Sequence, residues 1–167
     1  AVIGMTGLLL DRRLSEEQRD FVQVIRSSGD QLLAIINDIL DFSKIDSGQL
    51  ELEKRTFGLA SVVEEIMDLF AAKALEKNIE LLYYMHPDVP AEIETDPTRL
   101  TQVLMNLLGN ALKFTDQGEV MLLILPGKPL GSREMKIQFV VKDSGIGIPT
   151  DKLNRLFKLF SQVDAST

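Results

Sequence analysis

Apolar and polar positions follow two different rhythms along this chain. Residues 1–10, AVIGMTGLLL, are apolar enough for a helix and stop at Asp11, Arg12 and Arg13. Ser15 and Gln18 then have the spacing of a capping box, in which each side chain serves the other residue's orphan backbone amide. From there a helix is predicted to about Ile45, closed by Asp46, Ser47 and Gly48. Phe21, Ile25, Ser28, Leu32, Ile35, Ile39 and Phe42 fall in steps of four and three, a nearly complete heptad seam. Val22, Leu33, Ile36 and Leu40 widen the seam into a stripe that suits a four-helix bundle better than a two-stranded coil. A helical hairpin with such a stripe needs a partner, and a second copy is expected; the alternative is a helical pair lying on its own domain. The hairpin is lopsided, so a longer first helix is expected upstream of Ala1.

After Gly48 the period shortens. Leu50, Glu51, Leu52 and Glu53 alternate like a short strand, and the charged run from Glu51 to Arg55 reads as its solvated edge. Residues 59–76 form an amphipathic helix with Val62, Val63, Ile66, Leu69, Phe70 and Ala74 facing inward. Residues 79–85 and 91–94 are predicted strands. Asp96 followed by Pro97 is a strong helix start, with Asp as N-cap and Pro in the first turn, and this helix runs to about Lys113. Leu100, Val103, Leu104, Leu107, Leu108 and Ala111 make its buried side. A turn at 116–118 leads to a strand over 119–125, a loop over 126–132, a strand over 136–142 and a last helix from about Asp151. Helices and strands mix without regular alternation. The fold class is therefore α+β: a helical hairpin over 1–48, then an α/β sandwich over 49–167.

Composition narrows the function. Of the 167 residues 45% are apolar and 26% charged, a globular balance. No apolar run approaches the roughly 20 residues of a membrane span, and residues 1–10 lack the basic leader of a signal peptide. With no cysteine, disulfides and thiolate chemistry are excluded, and a reducing cytoplasm fits this composition without following from it. The net charge of −7 argues against sequence-independent nucleic-acid binding, which requires a basic surface. The six methionines show no clustering that suggests a metal or cofactor.

Two patterns carry candidate chemistry. On the helix after Asp96, Gln102, Asn106, Gly109, Asn110 and Lys113 share a stripe at helical spacing. Amides are poor helix formers when merely exposed, but their neutral oxygens can complete a Mg²⁺ shell made otherwise of waters and phosphates. Lys113, one turn on from Asn110, can place a point charge on a phosphate. An ordinary polar face with two asparagines is the bland alternative. The second pattern is DSGIGIP at 143–149, directly after the strand ending at Lys142. A carboxylate at a strand end can accept from an exocyclic amine, and glycines let backbone approach a flat base. Alone it is better explained by an ordinary strand-to-loop turn. It is neither a dinucleotide-binding fingerprint nor a P-loop.

Together these segments resemble the core of histidine protein kinases, in the flavour of hybrid sensor kinases. NLLGNALKFT at 106–115 resembles their N box, DSGIGIP at 143–149 their G1 box, and LFKLFSQVDAST at 156–167 the segment leading into the ATP lid. AVIGMTGLLL is similar to the tail of the first bundle helix, just after the histidine-bearing H box. INDILDFSKIDSGQLELE at 36–53 is similar to the end of the second bundle helix and the start of the catalytic domain. The resemblance implies an ATP-binding sandwich of the gyrase, heat-shock and mismatch-repair superfamily. It implies Asn110 as the Mg²⁺-binding asparagine, Asn106 as the upstream polar position, Lys113 as a phosphate contact and Asp143 as the adenine-reading carboxylate, with Gly145 and Gly147 shaping the wall. ATP and Mg²⁺ are the implied cofactors, a homodimer and a response-regulator receiver domain the implied partners, and a cytoplasmic location, with or without a membrane anchor on the parent protein, the implied setting.

The departures matter too. The H box would lie just upstream of Ala1 and the second glycine-rich box beyond Thr167, so these residues alone are not expected to autophosphorylate in the family's way. Two other readings stand beside the kinase: a non-catalytic dimerisation or docking module, and an ATPase of the gyrase or mismatch-repair type. Retention of both Asn110 and Asp143 disfavours the first. Such ATPases carry a glutamate base where Asn106 stands, and an amide is no strong base, which disfavours the second. The single histidine, His86, precedes Pro87 near a strand end and reads as a structural residue rather than a phosphate acceptor.

Overall fold

In a computed structural model of the protein, residues 1–131 and 134–151 are described. The final helix expected from Asp151 and the lid-like segment at 156–167 lie outside them. The chain divides into two compact units, Ala1–Glu51 and Leu52–Thr167.

The first unit is a helical hairpin of α1 (Val2–Leu10) and α2 (Glu16–Asp46). The capping box forms as read: the Gln18 amide donates to Ser15 Oγ at 3.2 Å and the Ser15 amide to Gln18 Oε1 at 3.1 Å. Ile3 of α1 packs against α2 at Gly29. Thr6 is buried with its hydroxyl donating to the Ile3 carbonyl, and Val22 is buried on α2. The remaining seam of α2 stays open within this unit: Phe21, Ile25, Leu32, Ile35, Ile39 and Phe42 are all exposed.

The second unit contains β1 (Arg55–Gly58), α3 (Leu59–Glu76), β2 (Ile79–Met85), β3 (Glu92–Thr95), α4 (Pro97–Phe114), β4 (Gly118–Pro129) and β5 (Met135–Asp143). A three-stranded sheet runs β2-β4-β5, with β2 parallel and β5 antiparallel to β4; β1 and β3 form a separate antiparallel pair. Alternate residues of β4, namely Val120, Leu122 and Ile124, are fully buried. They form one cluster with Leu59, Val63 and Ile66 of α3 and Leu104, Leu108 and Leu112 of α4. Burying a side chain of this size is worth roughly 1.5–3 kcal/mol, so this helix-on-sheet layer is the main source of the unit's stability.

Four local expectations are corrected. Residues 50–53 form no strand; the pairing begins at Arg55, because the chain is first held by side-chain hydrogen bonds at Glu53. The expected loop over 126–132 is strand as far as Pro129, with a register irregularity between Pro126 and Pro129 that accommodates both prolines. On α3, Leu69 faces outward while Met67 is buried. On α4, Val103 and Leu107 are exposed and Leu112 takes a core place, because the sheet covers a narrower stripe than the apolar pattern offers.

Candidate nucleotide-binding site

Asp96 caps α4, its Oδ1 accepting from the Arg99 amide at 3.0 Å and its Oδ2 from the Glu53 amide at 3.1 Å. With Pro97 in the first turn, this sets where the helix starts and so which residues share a face. Asn106 and Asn110 present their amides to solvent on one stripe, and Lys113 is exposed at its end. Gln102, at the start of the stripe, instead accepts from Arg99 Nη1 at 2.8 Å. The Lys113 ammonium stands 5.2 Å from the centre of the Phe114 ring, a cation–π distance.

The glycine-rich loop meets this helix at its C-terminus. The Ile146 amide donates to the Phe114 carbonyl at 3.2 Å. At Gly145 an added Cβ would collide with that same carbonyl and lie 2.9 Å from Asp143 Oδ1, so only glycine fits. Asp143 is exposed at the end of β5; its Oδ1 accepts from the Gly145 amide at 3.0 Å, which orients the carboxylate and leaves Oδ2 available. Gly147 has φ +67°, the left-handed region. Ser144 closes the other side: its hydroxyl accepts from the Glu119 amide at 2.9 Å and donates to the Gln117 carbonyl at 3.1 Å.

Thus the two sequence patterns, about thirty residues apart, are joined through Phe114. The junction offers neutral amide oxygens, a cation, an oriented carboxylate and a glycine-walled approach. Thr115 Oγ1 is buried in this junction with no hydrogen-bond partner among the described residues. A donor set of this kind fits a nucleotide with a hydrated hard cation, which takes oxygen ligands and keeps several waters. Among the described residues no cluster of three or more acidic, histidine or cysteine side chains offers a metal site of another type.

Comparison with known proteins decides the family. Residues 1–48 match the His Kinase A (phospho-acceptor) domain, and residues 95–167 match the histidine kinase-, DNA gyrase B-, and HSP90-like ATPase family. The chain carries the domain pair of the histidine kinase core. It is 44% identical over 99% of its length to the hybrid signal transduction protein dokA of Dictyostelium discoideum, and 43% identical over 99% to the signal transduction histidine-protein kinase BarA of Escherichia coli (strain K12). It spans 10% and 18% of those two proteins. Among solved structures it is similar to full-length ShkA in complex with AMPPNP, with a TM-score of 0.78 and 36% identity over 98% of this chain and 34% of that one.

Within this kinase core, three contacts were not read from the sequence. Lys77, at the end of α3, donates to the carbonyls of Leu112, Lys113 and Thr115; nothing in its sequence neighbourhood separates it from a solvated lysine. Ser144 stitches the loop to β4, a bond that the DSGIGIP pattern does not announce. Phe114 supplies the shared carbonyl, a backbone role that no side-chain pattern records. His86 sits in the turn after β2, its amide donating to the Ile124 carbonyl and its Nδ1 accepting from the Asp88 amide at 3.2 Å. These bonds suit a turn-forming residue.

Proposed function

We propose that this chain is the ATP-binding core of a sensor histidine kinase, which passes the γ-phosphate of ATP to a bundle histidine for relay to a response-regulator aspartate. The observation that carries the reading is the fixed junction of the α4 amide stripe with the Asp143 loop at Phe114. Asp143 Oδ2 would accept from the exocyclic amine of adenine, while Gly145 and Gly147 let the backbone lie against the base. Asn110 would give its side-chain oxygen to a Mg²⁺ ion, with Asn106 one turn upstream orienting its water shell. Lys113 would leave the Phe114 ring to reach the phosphates, exchanging one cation site for another. When bound, the metal ion supplies charge neutralisation on the transferring phosphoryl group; the protein's share is positioning.

The acceptor is not within these 167 residues, since their one histidine is His86, outside the hairpin. A neutral imidazole, with an unperturbed pKa of about 6.5, is a competent nucleophile near pH 7. The open seam of α2 supports a homodimer through the hairpin and leaves a helical surface on which a receiver domain can dock. No described helix is long and apolar enough to cross a membrane, and we place the core in the cytoplasm.

Titration calorimetry with a non-hydrolysable ATP analogue and Mg²⁺ tests the pocket. The chain is expected to bind saturably, and Asp143→Ala to lose most of that affinity while remaining folded by circular dichroism. Equal binding by the variant would sink the adenine-reading role.

A further inference from the structure

The C-terminus of α4 leaves backbone carbonyls without helical partners, and in this protein two different elements divide them. Lys77 Nζ takes three: Leu112 at 2.8 Å, Thr115 at 3.0 Å and Lys113 at 3.3 Å. The fourth, Phe114, accepts from Ile146 of the glycine-rich loop. Lys77 is itself the C-cap residue of α3, so its side chain reaches from the end of one helix to the carbonyls at the end of another. A helix C-terminus carries partial negative charge, and a cation on the last carbonyls of α4 offsets it. The backbone that carries the side chain is anchored just beyond it: Asn78 turns the chain with φ +54°, and Ile79 then pairs with Gly118 at the start of β4. Lys77 thus ties the turn between α3 and β2 to the end of α4, which lies some 35 residues further along the chain.

We infer that Lys77 is a positioning residue of the nucleotide site, fixing the last turn of α4 so that the Phe114 carbonyl meets the glycine-rich loop and the Lys113 side chain starts from a defined backbone. It rests on the nucleotide-binding reading above but touches no nucleotide. Without the ammonium, three carbonyls lose a charged donor, the last turn frays, and the Phe114–Ile146 bond that registers the loop loosens. An arginine restores a cation and several donors at this end; a methionine keeps the aliphatic stem and removes the charge.

The test compares the unaltered chain with Lys77→Met, Lys77→Arg and Val89→Ala. Val89 is a buried core residue beyond the end of β2 remote from the site, so its truncation reports general destabilisation. Two readouts are taken at a temperature where all four are folded: affinity for the Mg²⁺–AMPPNP complex, and hydrogen exchange of the Ile146 amide without nucleotide. Lys77→Met is expected to bind about tenfold more weakly, as for loss of one charge-assisted hydrogen bond, and to exchange Ile146 faster. Lys77→Arg should recover most of both, and Val89→Ala should leave both near the unaltered values. Unchanged Ile146 exchange in Lys77→Met overturns the inference, as does an equal loss of affinity in Val89→Ala. If the unaltered chain binds no nucleotide, the functional reading fails, and the exchange measurement still decides the role of Lys77.

Discussion

At Gly145 the missing side chain serves the protein before it serves any ligand. The pattern DSGIG suggests glycines that admit a flat base, yet the closest neighbour of an added Cβ here is the Phe114 carbonyl. The residue type was legible in the sequence; the reason for it was not, because the conflicting atom belongs to the backbone of Phe114, far back along the chain. Gly145→Ala is therefore expected to destabilise the chain even without nucleotide, by roughly 1–3 kcal/mol for an overpacked site, read from urea denaturation. A purely ligand-facing glycine would leave the midpoint unchanged. Lys113 shows the opposite case. Its spacing from Asn110 marked it as a phosphate contact, while the structure places its ammonium over the adjacent aromatic ring.

Among the elements, α4 was the most legible because its start is written in two residues, Asp96 and Pro97, and its face in a four-residue spacing. What the pattern could not give was the width of the covering sheet, which is why Val103 and Leu107 fell on the wrong side of the boundary. Nor could it show that the Asp96 carboxylate also holds the chain at Glu53, a partner 43 residues away. The Arg99 amide is the main cause that lowers the Asp96 carboxyl below its ordinary value; burial opposes this, and the Glu53 amide adds to it. A folded-state pKa below the unfolded one stabilises fully above the unfolded value, near pH 4, and the gain is lost as pH falls through the folded value. Asp96→Asn keeps one oxygen for the cap but cannot accept from both amides. Its urea midpoint is expected to lie below that of the unaltered chain at pH 7, and the gap to narrow as pH falls below about 4. A gap independent of pH would contradict the ionised double acceptor.

On the scale of the whole molecule, the two periodicities of the sequence correspond to the two compact units, a hairpin and a helix-on-sheet layer. The hairpin leaves its seam uncovered, since one short helix cannot span a stripe running from Phe21 to Phe42. Ile35→Asp with Ile39→Asp is expected to shift the chain from dimer to monomer in sedimentation velocity, with nucleotide affinity unaffected. Monomer in both forms would remove the seam as a dimer interface. Under the proposed function, one junction, made of the end of α4 and the Asp143 loop, holds the nucleotide. Backbone amide chemical shifts, followed while Mg²⁺–AMPPNP is added, test it most directly. The largest changes are expected at residues 106–118 and 143–147, saturating together, with the hairpin seam silent. Saturable shifts elsewhere in the chain, with these two segments unmoved, would contradict it.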